Sequence, residues 1–576
     1  MADAAKVRDE LTGPGGAFEV VTTDEIDGKP MKVFKDRFPN LRFISEVFGA
    51  AHADKEFVVY GERRQTYAEF LEDVNALSAW FAANGLTKGD RVAVLSQNNP
   101  QWCATFWAAV DMGAVLVGLN GWWNTDEILY GLQHSGAKVL VADAKRFDRI
   151  TADLDAAPDL EHVLLVDANP DSFDAGDEGP RLLRFDDAVS EGATGSPGFP
   201  TTEIAESDPA VIFYTSGTTG RPKGAISTHA NMVANLQNTV FSLTLAAMTN
   251  PDASVGGGDQ PVSLLTSPLF HVSGCHSTLV VGFMGGMKLV IPEGRFDPDN
   301  VFRLIEDEGV GIWATVPTMI WRATEHPARG DYDLSSIVSV AFGGSPSADE
   351  LQRRIRDTFP NVKSTSNAYG LTESSSVATI LSAGAEVDKV DSVGLPMPVV
   401  DLAIGDPTGK HLGPGETGEV LIRGPIIMAG YWDNPEATAD TIRDGWLHTG
   451  DVGHLDSDGY LFITDRAKDM LIRGGENVYC VEIENRLVEH PEIADAAVVG
   501  VPHAELGEEV KAVLEMGEGS TASDDDIRGW VREALAEFKV PTYIQRWDGK
   551  LPRNASGKLL KNVLRGEGAV SFAETM

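Results

Sequence analysis

Tyr214-Thr-Ser-Gly-Thr-Thr-Gly-Arg-Pro-Lys-Gly224 follows directly on the apolar run Val211-Ile212-Phe213. Four aliphatic hydroxyls and three glycines crowd this segment, and Lys223 adds a cation on a flexible stem. Glycine lets a backbone approach a ligand closely, and successive N–H groups with hydroxyls make a cradle for phosphate oxygens. The pattern is not that of P-loop NTPases. Counting from Gly217, Pro222 stands where the second glycine belongs, and Gly224 follows Lys223 where a Ser or Thr is required. The one formal dinucleotide fingerprint, Gly413-Pro-Gly-Glu-Thr-Gly418, precedes the strand-like run Glu419–Ile422 and reads as a turn. A solvated hairpin loop is the bland alternative for Thr215–Gly224.

Composition narrows the rest. The 576 residues are too many for one hydrophobic core, and the 43% hydrophobic content is ordinary for a globular chain. Met1–Gly16 is polar and shows no targeting signal. The most apolar window, Thr278–Ile291, holds three glycines and Lys288. It is shorter than the roughly 20 residues a membrane span needs, so no transmembrane segment is expected. Cys103, Cys275 and Cys480 fit neither a disulfide framework nor a zinc site, which points to a reducing, cytoplasmic location. His271 and His276 fall on different faces of a helix and do not make a metal pair. A net charge of −39 excludes a basic nucleic-acid scaffold and suits a soluble protein in a salty cytoplasm. Any anion site must then build local positive potential from few cations and helix N-termini.

The periodicity predicts strands at Arg91–Leu95, Ala114–Leu119 and Lys138–Ala142, with helices at Trp102–Met112 and Thr125–His134 between them. That alternation predicts a parallel α/β sheet. Residues 1–45 read as an irregular, polar extension, and Asp171–Pro200 as a loop excursion. A second α/β stretch is expected from Val211 through Lys288–Ile291, Val310–Thr315 and Val338–Phe342. From about Val390 to Asp465 short strands and Gly-rich turns predict a small β subdomain, and the remainder is mixed α+β with a charged helix at Asp525–Phe538.

Four further segments stand in order behind the first: Asn367-Ala-Tyr-Gly-Leu-Thr-Glu373, Trp446-Leu-His-Thr-Gly-Asp451, Asp465-Arg-Ala-Lys-Asp-Met-Leu-Ile-Arg-Gly-Gly-Glu-Asn477 and Leu551-Pro-Arg-Asn-Ala-Ser-Gly-Lys558. Each alone could be a turn; together they are far from chance. They resemble the adenylate-forming superfamily of acyl-CoA synthetases, luciferases and peptide-synthetase adenylation domains, with the acyl- and aryl-CoA synthetases matching best. The resemblance implies an α/β fold. Its large N-terminal domain, residues 1–464, would hold two parallel α/β sheets plus the small β subdomain. A hinge at 465–469 and a smaller mobile α+β domain at 470–576 would follow. It also implies a reaction: a carboxylate attacks the α-phosphate of ATP, pyrophosphate leaves, and CoA thiolate then displaces AMP from the acyl-adenylate. The partners are thus a small carboxylic acid, ATP and CoA, with Mg²⁺ as cofactor and no nucleic acid; a homodimer stays open.

By the same resemblance, Thr215, Ser216, Gly217, Thr218, Thr219, Gly220 and Lys223 hold the β- and γ-phosphates, and Glu373 with Thr218 holds Mg²⁺. Tyr369 lies against adenine and Asn367 bonds its exocyclic amine. Ala368, Gly370 and Thr372 complete that wall, with Gly344, Ser345 and Pro346 opposite. Asp451 accepts the ribose hydroxyls, supported by Arg466. Lys558 bridges carboxylate and phosphate during adenylation. Lys468 is the pivot of a domain rotation that brings Gly474, Gly475, Glu476 and Asn477 over the adenylate to line the CoA path.

The acyl pocket is expected around His271, Gly274, Cys275, Thr315 and Gly343. His271 either contacts the carboxylate or gates CoA. No Arg or Lys falls in His271–His276, Trp313–Pro317 or Ala341–Gly344. A second carboxylate would go unpaired there, so the expected acid is monocarboxylic and apolar. A medium- or long-chain fatty acid is the first expectation; an aryl or cyclic acid, or an acyl-AMP product without CoA transfer, is the alternative. Phe270–His276 carries no aspartate to pair an amino acid's ammonium, and no Gly-x-Ser-x-Gly elbow suggests a hydrolase.

Overall fold

The computed structural model describes residues 4–23, 30–176, 179–195, 197–215, 221–249, 260–343, 349–381, 389, 391–466, 469–473, 476–503, 506–553 and 559–566. At 349–350, 465–466, 472 and 476–477 the backbone alone is described.

Two large sheets and one small one build the N-terminal part. The first sheet has eight strands, with Arg91–Leu95 at its centre. Val115–Gly118 and Pro209–Thr215 lie to one side, and Val139–Asp143, His162–Val166 and Arg181–Arg184 to the other, all parallel. Lys223–Thr228 and Gly430–Tyr431 then close the edge antiparallel. The second sheet has nine strands. Its parallel centre runs Ser364–Leu371, Ser339–Gly343, Ile312–Thr315, Val262–Leu264, Lys288–Val290 and Glu56–Tyr60. Antiparallel strands Ser376–Leu381 and Arg63–Thr66 flank it.

The helix Pro100–Met112 shows why these layers hold. All its residues are buried, including Asp111, whose carboxylate accepts from Ser45 Oγ at 2.8 Å. Asn99 caps its start by accepting from Trp102 N–H, Pro100 occupies the first turn, and Gly113 ends it at φ 80°. Trp102, Phe106 and Trp107 join the core that also takes in Phe283 and Leu289 of the second sheet's layer.

The central strands and helices fall where the periodicity puts them. Four expectations need correction, three of them in the N-terminal part. The strand containing Val211 does not open a second sheet; it belongs to the first, beside Val115–Gly118. A strand's hydrophobic pattern reports burial, not which neighbour it pairs with. The stretch Asp171–Pro200 is not all loop: it contains the edge strand Arg181–Arg184 and the helix Phe185–Gly192. Arginines at both ends of that strand hide it in sequence and are the usual protection of a sheet edge. The extension at 1–45 is ordered in part, with a helix Ala4–Thr12 and a hairpin of Val20–Thr23 and Met31–Phe34. Arg8 donates to the Pro396 carbonyl at 2.7 Å and covers the Phe241 ring, which fastens this helix to the body.

The β subdomain is a five-stranded sheet of Asp401–Gly405, Gly418–Arg423, Trp446–Leu455, Ile442–Arg443 and Leu461–Arg466. The C-terminal part is separate and α+β. Leu471–Arg473, Glu476–Val478, Ile493–His503, Gly507–Met516 and Tyr543–Arg546 form its sheet, packed by helices Cys480–Val488 and Asp524–Arg532. The expected helix at Asp525–Phe538 is therefore shorter and stops at Arg532. No helix among the described residues is long and apolar enough to cross a membrane.

The charge of −39 has a measurable consequence. Self-repulsion among surface carboxylates opposes the compact state, and salt screens it as the Debye length falls from about 10 Å at 0.1 M to about 3 Å at 1 M. The apparent Tm is expected to rise by about 5 °C or more over that range. A calorimetric scan in KCl with no rise would contradict this.

Candidate active site

The opening stretch is the tip of an antiparallel hairpin. Thr215 pairs with Lys223 and Tyr214 with Gly224, so residues 216–222 bridge two strands at the carboxyl end of the first sheet. Ligands collect at such strand ends in α/β proteins. Ser216, Gly217, Thr218, Thr219 and Gly220 lie outside the described residues. Lys223 is described, and its ammonium sits 5.1 Å from the centre of the Tyr431 ring.

Asn367, Ala368, Tyr369 and Gly370 lie on the strand Ser364–Leu371, whose alternation puts Asn367 and Tyr369 on one face. Gly343 pairs with Ala368, and a Cβ at Gly343 would strike the Ala368 carbonyl, so only glycine fits there. Gly344, Ser345 and Pro346 lie outside the described residues. Tyr369 Oη donates to Asp451 Oδ2 at 2.7 Å, with Tyr369 9% and Asp451 4% exposed. The adenine and ribose candidates thus meet although they belong to different sheets.

Asp451 is held by residues outside the expected set. Glu419 accepts from Gly450 N–H at 3.0 Å and from His448 Nδ1 at 2.8 Å. Thr449 Oγ1 donates to the Val420 carbonyl at 2.7 Å and accepts from Asp451 N–H at 3.1 Å. Arg466 pairs with Asp451 through the backbone.

The strand Ser364–Leu371 ends in a short turn, Thr372–Ser374, that presents Glu373. Ser375 and Ser376 follow at φ 49° and 110°, a conformation that L residues rarely adopt in succession. Such strain persists only when neighbours over-determine it. Here Ser375 Oγ bonds Ser227 Oγ at 3.0 Å, Ser376 Oγ bonds Ser277 Oγ, and His276 Nδ1 donates to the Ser375 carbonyl at 3.1 Å. His276 is buried against Phe213, and burial pushes its pKa down to about 4, so it is a neutral donor.

Tyr431 Oη donates to Glu373 Oε1 at 2.8 Å, and the other carboxylate oxygen carries no bond to a described residue. A hard anionic oxygen of this kind suits Mg²⁺, so Glu373 fits a cation arriving with the nucleotide. Thr218 lies outside the described residues. Among the described residues no group of three or more His, Cys, Asp or Glu side chains converges as a self-sufficient metal centre.

On the acyl side, His271 caps a short helical turn, its Nδ1 3.0 Å from Ser273 Oγ. Gly274 packs so tightly that a Cβ would strike the Pro268 carbonyl. Cys275–Val280 then forms a π-turn, a feature common at functional sites. Cys275 itself is wholly buried in the core, where burial raises its thiol pKa, so it packs behind the turn rather than in open space. Thr315 accepts from Thr266 Oγ1 at 2.9 Å and faces Met319 Sδ at 3.2 Å.

In the C-terminal part, Glu476 and Asn477 lie on the strand Glu476–Val478, antiparallel to Leu471–Arg473. Arg473 grips the buried Glu509 with two N–H groups and anchors that hairpin. Gly474, Gly475, Lys468 and Lys558 lie outside the described residues. Sequence reasoning missed Tyr431, Glu419 and His276; all act across tens of residues, and only the Met428-Ala-Gly-Tyr-Trp432 run offered a local sign.

Two α/β sheets, a β subdomain and a separate α+β C-terminal part make up the architecture of the adenylate-forming enzymes. The family model described as AMP-binding enzyme matches residues 46–432, and that of the AMP-binding enzyme C-terminal domain matches 482–558. The chain belongs to this AMP-binding enzyme family, in its acid–CoA ligase branch. It is 35% identical over 512 residues to the feruloyl-CoA synthase of Amycolatopsis sp., covering 88% of this chain and 95% of the relative. It is 31% identical over 537 residues to a long-chain-fatty-acid–CoA ligase of Bacillus subtilis, covering 90% and 92%. The Bacillus subtilis o-succinylbenzoate CoA synthetase, solved with its acyl-adenylate, superposes with a TM-score of 0.72 at 28% identity, covering 92% of this chain and 98% of that one.

Proposed function

We propose that this ligase activates an apolar monocarboxylic acid, an aryl acid of the arylpropenoate kind before a fatty acid, through acyl-AMP to the CoA thioester. The observation that carries the nucleotide part is the pair of polar clusters that the fold assembles from separate segments. Tyr369 and Asp451 meet in one, and Lys223, Tyr431 and Glu373 in the other. A nucleoside suits the first and a polyphosphate the second.

The acid is ionised at neutral pH, so adenylation brings two anions together and needs neutralised charge rather than a base. Lys223 and the hairpin hold the β- and γ-phosphates. Glu373 would hold Mg²⁺, which would supply further positive charge at the phosphates. Asp451 accepts the ribose hydroxyls. Lys558 pairs with the carboxylate as a carboxylate oxygen bonds to the α-phosphorus and the bond from that phosphorus to the oxygen bridging the β-phosphorus breaks, releasing pyrophosphate. The CoA thiolate then attacks the acyl carbon, and AMP leaves.

The hinge has a structural basis. The strand Leu461–Arg466 is paired into the β subdomain, whereas Asp469 accepts from Cys480 Sγ at 3.0 Å and faces Arg565 at 3.6 Å. The chain passes from one unit to the other between 466 and 469, which supports Lys468 as the pivot.

The aryl preference rests on the feruloyl-CoA synthase relative, and the single carboxylate on acyl-side segments without a cation. The fatty acid reading is kept as second because of the long-chain relative. Purified protein with ATP, Mg²⁺ and CoA is expected to release AMP and form thioester from cinnamates or benzoates. Turnover confined to C8–C18 acids would favour the second reading, and no AMP with any acid would overturn both. Glu373→Gln is expected to raise the half-saturating Mg²⁺ concentration about tenfold. An unchanged metal titration would remove Glu373 as the ligand.

A further inference from the structure

Tyr431 belongs to none of the five motifs, yet its side chain touches two of them. Its hydroxyl donates to Glu373 Oε1 at 2.8 Å, and its ring face lies 5.1 Å from the Lys223 ammonium. The backbone around it bonds to the same two walls. Met428 N–H donates to the Glu373 carbonyl at 2.9 Å, and Trp432 N–H to the Gly224 carbonyl at 2.7 Å. Ala225 pairs with Tyr431 in register. Gly430 makes this approach at φ 149°, where a Cβ would press on Thr438 at 2.9 Å.

Opposite charges at an open site tend to collapse onto each other, which would remove both from the ligand. Here each has a neutral aromatic partner instead. The carboxylate takes a hydroxyl, and the cation takes a π face. Among the described residues no ion pair joins Lys223 to Glu373. Tyr431 is 8% exposed, so its neighbours hold the ring and the hydroxyl in place.

We propose that Tyr431 is a positioning residue for the polyphosphate end of the nucleotide, holding Glu373 and Lys223 apart and aimed so that both are open to MgATP. The inference rests on the ligase reading above. Tyr431→Phe keeps the ring over Lys223 and removes only the bond to Glu373. Calorimetric titration is expected to show MgATP binding weakened about tenfold and AMP binding within about twofold of wild type. At fixed ATP, the Mg²⁺ midpoint shifts upward. Because Tyr431 acts through Glu373, Tyr431→Phe added to Glu373→Gln is expected to weaken MgATP no further than Glu373→Gln alone. Wild-type MgATP affinity in Tyr431→Phe would overturn the proposal, as would equal losses for AMP and MgATP or additive losses in the double variant. A wild-type protein that binds neither nucleotide would instead overturn the ligase reading itself.

Discussion

Lys558→Ala is expected to lower the rate of acyl-AMP formation about 10²- to 10³-fold, the usual cost of removing one group that stabilises developing charge in a closed site. The carboxylate and the α-phosphate repel until a cation lies between them, and a lysine supplies a compact point charge on a long stem. No such charge is needed when CoA thiolate attacks an acyl-adenylate already made. Thioester formation from supplied acyl-AMP is therefore expected to stay within about threefold of wild type. Pyrophosphate release measures the first step, and thioester yield from synthetic acyl-AMP the second. Equal losses in both would contradict the division of labour between the two faces of the C-terminal domain.

Asp451→Ala is expected to weaken ATP and AMP alike, by about 10²-fold or more, since each lost hydrogen bond to a charged acceptor is worth roughly 1.5–3 kcal/mol. The loss includes a second term. Asp451 also takes the Tyr369 hydroxyl, so its removal deletes that buried bond as well and loosens the strand wall at Tyr369. Asp451→Asn keeps an acceptor of the same shape and is expected to lose less. Calorimetry with both nucleotides, alongside circular dichroism to verify folding, checks this. The shared loss separates the ribose end from the phosphate end, where Tyr431→Phe spares AMP. Undiminished affinity in Asp451→Ala would sink the ribose assignment.

The parts of the site that sequence made legible are those where chemistry is local. Thr215 to Gly224 reads as a candidate phosphate cradle through its own hydroxyls and glycines, and the described ends of that stretch pair as a hairpin. The Asn367–Glu373 and Trp446–Asp451 segments each lie within or just after a strand at the site. The supporting contacts were not legible, because they join residues with no sequence relation. Tyr431 reaches Glu373 across 58 positions, and His276 reaches Ser375 across 99. Cys275 looked like a pocket residue beside His271 but faces the core, since a π-turn shifts which side chains point outward. Arg181–Arg184 looked like loop because its charged ends mask a two-leucine strand.

The order and residue types of five segments, by themselves, determined the family and the chemistry. Glycine, hydroxyl, carboxylate and lysine each have few physical uses, and their order along the chain resembles that of the adenylate-forming superfamily. Only the tertiary structure decided which sheet takes the Pro209–Thr215 strand, that Tyr369 and Asp451 share a bond, and that a tyrosine outside every motif touches both Lys223 and Glu373. Those outcomes depend on strand order and on contacts between distant residues, and a linear pattern of burial carries neither.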